Sequence, residues 1–268
     1  MTADANSAPA GERRHKVLVI IPFPMSEAEQ AQREQQLAAV RTGADIGFEF
    51  RPVRAAPSNY VSEHDSVLAD ASILDAGRAA EEEGYDAVCI DTMSDSGLAA
   101  LRSVLRIPVV APGRASMLVA LMLGERFSIL MMWDRWRHLY RKTIAELGLE
   151  RRCASIRAVG VTPDNRSLLA GKEEDVFPLL LAAARRCIEE DGAEVILLGS
   201  TTMHQAHPFL AERLPVPVIN PGPLSYKLVE AALALGVSQS RAAFPEPLVR
   251  KTAMVSRMFD TAAALQER

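Results

Sequence analysis

Two stretches of the sequence bring a hydroxyl residue to the same kind of corner. EEEGYDAVCIDTMSDS (81–96) runs from an acidic, glycine-closed helix end through an apolar strand to Thr92, and EEDGAEVILLGSTTMH (189–204) does the same to Ser200. Equivalent groups reaching one carbon from two sides suit a reaction in which a proton leaves one face and returns to the other. An ordinary hydroxyl is a poor base, so Thr92 and Ser200 each need an activating neighbour. Asp95 lies three residues after Thr92 and shares its loop, whereas strand alternation sends Asp91 to the opposite side. His204 follows Ser200 and opens an H-x-x-H pair with His207. That spacing suits a metal pair or an acid/base pair; no further metal ligand is evident, so His204 is expected as a general acid/base and no metal is expected. With Pro208 next to it, a helix is expected to begin there and His207 is expected as a surface or packing residue.

Other residues around these corners could hold a ligand. The turn Ser94, Asp95, Ser96 and Gly97 offers backbone amides to a carboxylate, with Thr201 and Thr202 opposite and Met93 in the first corner. Arg114, after Pro112 and Gly113, could clamp a carboxylate bidentately or form a surface ion pair. Ser58, Asn59 and Tyr60 could hydrogen-bond a substrate or simply make a turn. Thr92 and Ser200 also suit helix caps, a role compatible with facing a cleft.

The elements that must position these groups are legible as β-branched runs alternating with helical patterns, the mark of a parallel α/β sheet. Strands are expected at 16–22, 48–53, 86–91, 109–112, 127–132, 155–160, 194–199 and 217–221, with long helical stretches between them. Ser26 followed by Glu29 has capping-box spacing. The halves superpose: KVLVIIP on RFSILMM, EEEGYDAVCIDT on EEDGAEVILLGS, IPVVAPG on VPVINPG. This is an internal duplication that predicts two lobes with Thr92 and Ser200 on opposite walls of one cleft, beyond the carboxyl ends of the strands.

DTMSDSGLAAL, PVVAPGRASMLVALMLGERFSIL, GAEVILLGSTTMH and PVINPGPLSYKLVEAALALG resemble the aspartate/glutamate/hydantoin racemase superfamily, nearest its hydantoin racemase branch, across about residues 16–240. The resemblance implies two pseudosymmetric Rossmann-like lobes with parallel sheets, an interlobe active site, no metal or organic cofactor, and a homo-oligomer. It also implies a cysteine at the strand end of each half, where this chain has Thr92 and Ser200. Asp95 matches the acidic residue of the family's first turn, and the family's polar first-loop corner is here Ile21-Pro22-Phe23-Pro24, which places Phe23 against an apolar part of the substrate or in the lobe interface. A thiol titrates near 8.5 and is readily tuned into a base; a hydroxyl is not, and buried Cys89 in its strand is no substitute.

The lobes are expected at 16–113 plus 222–268 and at 114–221, after a disordered arm over 1–15. The net charge of −4 gives no basic stripe for nucleic acid and no polybasic membrane patch, and no apolar run is long enough to span a bilayer. Cys89, Cys153 and Cys187 show neither disulfide nor zinc spacing, as in a cytoplasmic protein. The expected activity is cofactor-independent proton transfer next to a carbonyl of a small carboxylate, imide or cyclic ureide. The alternatives are a lyase, decarboxylase or hydrolase on the same scaffold and a non-catalytic small-molecule binding protein.

Overall fold

The computed structural model describes residues 14–163 and 172–266. The first sheet contains β1 (His15–Ile21), β2 (Ile46–Pro52), β3 (Ala87–Ile90) and β4 (Val109–Val110), in the order β2-β1-β3-β4. The second contains β5 (Phe127–Met131), β6 (Cys153–Ala158), β7 (Val195–Leu198) and β8 (Val218–Ile219), in the order β6-β5-β7-β8. All the pairings are parallel, and the two orders are the same, so the sequence duplication is a duplication of topology. The central strands are continuous apolar runs because helices cover both faces; Val17–Ile21 and Val195–Leu198 are fully buried.

Nine α-helices appear among the described residues: α1 (Glu27–Glu34), α2 (Glu63–Gly77), α3 (Leu98–Val104), α4 (Pro112–Leu123), α5 (Arg137–Leu147), α6 (Glu173–Glu189), α7 (His207–Ala211), α8 (Pro221–Leu235) and α9 (Thr252–Leu265). Ser26 and Glu29 form the reciprocal capping box at the start of α1. The helical stretch between the first two strands is interrupted: α1 stops at Glu34 and the chain tightens into a 3-10 turn, Gln35–Ala39. Arg33, in the last turn of α1, and Gln36, in the 3-10 turn, are both turned inward, 1% and 0% exposed.

The helices after β4 and β8 are exchanged between the sheets. α4 packs on β5 and β7 of the second sheet, α8 packs on β3 and β4 of the first, and the two helices pack on each other. Gly113 permits a close approach there: a Cβ would lie 2.4 Å from the Met93 carbonyl oxygen and 2.6 Å from Asp95 Oδ1. α9 packs on α2 and is tied down by Arg54, which bonds Asp75 at 2.9 and 3.0 Å and also Asp260. Of the arm expected over 1–15, only Arg14 and His15 are described, and both are ordered into the first sheet. Residues 1–13 lie outside the described residues, but Arg14 donates to the Ile46 carbonyl at 3.1 Å and His15 begins β1. No helix among the described residues is long and apolar enough to cross a membrane.

Candidate active site

β3 ends at Ile90 and β7 at Leu198, each two residues before its hydroxyl residue. Both loops open into one cleft of about 40 Å³, room for a few water molecules. Its lining comes from both lobes: Pro22, Phe23, Arg33, Tyr60 and residues 91–94 on one side, Trp136, Leu139, Tyr140 and residues 199–202 on the other.

The two walls repeat a hydrogen-bonding device. Thr92 Oγ1 lies 3.1 Å from Ser94 Oγ, which lies 2.9 Å from Ser96 Oγ. Ser200 Oγ lies 2.8 Å from Thr202 Oγ1 and accepts from the Thr202 amide at 3.2 Å, capping the 3-10 turn Thr201–Ala206. Each strand-ending hydroxyl is thus held by the hydroxyl two residues on, at the cleft surface. Thr201 Oγ1 donates across the lobes to the Asp91 carbonyl at 3.3 Å, joining the walls at their base.

Several expected roles change. Asp95 does not reach the hydroxyls: its oxygens accept from the Gly113 and Arg114 amides, both at 2.7 Å, capping α4. That duty holds it at φ 53°, the one positive φ outside glycine among the described residues. Burial pushes its carboxyl up to about 6 against these bonds and Arg114. Arg114 is likewise outside the cleft lining, bridging Asp95 at 3.5 Å and Glu146 of α5 at 3.2 Å. The amides of the Ser94–Gly97 turn are already engaged, those of Ser94 and Ser96 by hydroxyls, Asp95 by the Thr92 carbonyl and Gly97 by Asp70 Oδ1, so the expected carboxylate nest is closed by the protein's own atoms.

Tyr60 lines the cleft with its ring, but its hydroxyl is spent on the Pro22 carbonyl at 2.7 Å, and so it is a wall rather than a donor. Phe23 stacks on it with centroids 5.1 Å apart, and Met93 is buried beside them, so this end of the cleft is apolar. Ser58 and Asn59 are outside the lining. Cys89 donates to Ser225 at 3.3 Å and burial pushes its thiol up to about 12; no cysteine is among the residues lining the cleft.

His204 is 7% exposed, beneath the second wall and outside the lining, and its Nε2 has no partner among the described residues. Its H-x-x-H companion turns away: His207 Nε2 lies 3.0 Å from the Val218 carbonyl oxygen. No cluster of three or more His, Cys, Asp or Glu that could hold a metal exists among the described residues. Burial, and then the Arg33 charge, push the His204 imidazole from 6.5 down to about 4, so at neutral pH it is no acid. Between those values the unfolded chain binds a proton that the native protein refuses, so stability is present above about pH 6.5 and is lost as pH falls toward 4. We expect His204→Asn to remove on the order of 3 kcal/mol of this pH dependence. Urea unfolding of both proteins at pH 4.5 and 7 measures it, and parallel curves would refute it. Asp95, raised to about 6, acts in the opposite direction in both proteins and cancels in the difference.

The residues that sequence reasoning passed over form the floor. Because β3 stops at Ile90, period-two alternation does not extend to Asp91, which lines the cleft instead of facing away. Its Oδ2 lies 3.2 Å from Arg33 Nε and accepts from Gln36 Nε2 at 3.3 Å, with all three side chains buried. Burial pushes its carboxyl upward, against Arg33. Trp136 and Tyr140 close the second wall, and Tyr140 donates to the Gly199 carbonyl.

The family model for Asp/Glu/Hydantoin racemase matches residues 20–229, which takes in the second sheet, β2 to β4 and the end of β1 in the first, both hydroxyl loops, α4 and most of α8. The chain belongs to that family. It is 30% identical over 230 residues to a hydantoin racemase of Paenarthrobacter aurescens, covering 85% of this chain and 94% of the relative. It is 33% identical over 187 residues to a hydantoin racemase of Pseudomonas sp. strain NS671, covering 69% and 73%. The structure of allantoin racemase from Klebsiella pneumoniae is similar at a TM-score of 0.77 and 27% identity, covering 88% of this chain and 95% of that one. These likenesses support an isomerase-type enzyme acting on a small molecule.

Proposed function

We propose that this protein is a cofactor-independent racemase-type enzyme that moves a proton at a carbon next to a carbonyl of a small carboxylate, imide or cyclic ureide. The observation that carries the reading is the pair of equivalent hydroxyl loops facing one cleft, Thr92 with Ser94 and Ser200 with Thr202. The family membership supports the reaction class, and the relatives named for hydantoin and allantoin support a cyclic ureide as one substrate type. Thr92 and Ser200 contact the substrate from opposite sides. Asp91 is the only carboxylate lining the cleft among the described residues, and its Oδ1 has no partner there. Burial pushes its carboxyl upward, which suits it to take and return the proton, with the hydroxyls relaying it. The same reading assigns 16–113 with 222–268 to one lobe and 114–221 to the other, in a cytoplasmic homo-oligomer.

The test is incubation with an optically active 5-substituted hydantoin and with optically active allantoin in deuterium oxide. Deuterium incorporation at the acidic carbon, with loss of optical rotation, is the expected result. Cleavage without incorporation would replace the reading by a lyase or hydrolase, and binding without turnover would replace it by a small-molecule binding protein.

A further inference from the structure

The floor of the cleft carries a charge that the hydroxyl chemistry does not use. Arg33 is 1% exposed and lines the cleft, yet its Nε and Nη1 have no hydrogen-bond partner among the described residues. Asp91 Oδ2 is close enough to Nε, at 3.2 Å, for a charge pair, but not aligned for a hydrogen bond. A guanidinium has five N–H donors in a rigid fork, matched to two oxygens of a carboxylate. Leaving such donors buried and unbonded is costly, which makes an arriving acceptor strongly favoured.

We propose that Arg33 is an anion subsite of the cleft, binding an anionic oxygen of the substrate through the N–H groups that Asp91 leaves open. The oxygen is either a carboxylate that the substrate carries or the carbonyl oxygen that becomes negative as the neighbouring proton leaves. This inference rests on the proposed function and adds to it the charged contact that substrate recognition requires. Its surroundings favour an anion over a neutral group. Phe23, Tyr60, Met93, Trp136 and Leu139 supply the apolar part of the lining, and Arg33 itself is buried, so its field is weakly screened. Gln36 Nε2 holds Asp91 from the other direction, so the carboxylate is not committed to Arg33 alone. Asp91 competes with the ligand for the same cation, and this competition gives the subsite a signature that a purely structural ion pair lacks.

The probe is acetate, with acetamide as its neutral counterpart, at constant ionic strength. Binding is followed by tryptophan fluorescence, since Trp136 lies in the cleft wall. Acetate should give a saturable change and acetamide should give none. Asp91→Asn, which removes the competing carboxylate, should bind acetate more tightly by several-fold. Arg33→Gln combined with Asp91→Asn replaces both charges by amides, so no buried charge is left unpaired, and it should lose acetate affinity by at least about tenfold, the scale of one charged hydrogen bond. Unchanged affinity in that double variant, or equal responses to acetate and acetamide in the wild type, would overturn the subsite. Arg33→Gln alone, which keeps Asp91 as the proton acceptor, then separates the two sources of the oxygen: loss confined to KM marks a carried carboxylate, and loss in kcat marks the developing oxyanion. Acetate binding needs no turnover. Arg33-dependent binding in a protein that never exchanges deuterium would keep the subsite and discard the proposed reaction. Exchange with Arg33-independent acetate binding would do the reverse.

Discussion

Ser200→Ala and Thr92→Ala are each expected to lower deuterium exchange at the substrate carbon by about 10²-fold or more, the usual contribution of a positioned proton-transfer group. Each hydroxyl lies at the cleft surface and is held by a second hydroxyl two residues along, Thr202 or Ser94. Neither has a titratable partner among those hydrogen bonds, so each acts by orienting and relaying rather than by being a strong base. Removing Ser200 also takes away the cap of the following 3-10 turn, a loss of about 1 kcal/mol that a folded protein of this size tolerates. Unfolding curves should therefore move little while turnover falls sharply. Because the walls are equivalent, the substrate enantiomer whose proton faces the lost hydroxyl should be affected first. Ser200→Ala and Thr92→Ala should then differ in which enantiomer they slow in the initial rate of exchange. Wild-type exchange rates in both variants would defeat the assignment of the walls.

Replacing Asp91 has the largest expected effect on stability. Asp91→Ala leaves the Arg33 guanidinium buried with no counter-ion, a change that costs about 3–5 kcal/mol. That is a large part of the 5–15 kcal/mol that holds a typical domain folded. Asp91→Asn keeps an oxygen for Gln36 and Arg33, so it should cost less while still removing the proton acceptor and stopping exchange. Arg33→Gln combined with Asp91→Asn should recover most of the stability lost in Asp91→Ala, because neither charge remains. A urea series on all three variants gives the order directly, and the coupling follows from the non-additivity with Arg33→Gln alone. If Asp91→Ala unfolds at the wild-type midpoint, the pair carries no stability, and the buried geometry around Arg33 has to be understood without a charge interaction.

The two predictions rest on the walls and the floor of one cleft, and only the walls are readable from the chain. Thr92 and Ser200 stand out because the halves repeat, and a repeat of strand and loop fixes where its hydroxyl falls relative to the sheet edge. Arg33 lies in EAEQAQRE, an ordinary charged helical stretch in which nothing marks it as different from the exposed residues around it. It is buried only in the fold, where it pairs with Asp91 from another element and α8 packs on the 3-10 turn that follows. Asp91 and Asp95 exchange their expected positions for a related reason. Alternation is a rule for strands, β3 ends before Asp91, and the α4 amides draw Asp95 away from the hydroxyls to cap that helix.

The sequence by itself determined the two parallel sheets, their duplication and the hydroxyls at both corners, because apolar periodicity and internal repetition are local patterns carried by neighbouring residues. Tertiary structure alone decided which charges share the cleft. Asp91 meets Arg33 across 58 positions of the chain, and Thr201 meets the Asp91 carbonyl across 110. Burial removes the water that would otherwise make such charges interchangeable, so which acid faces the substrate is set by the packing of distant elements and not by spacing along the chain.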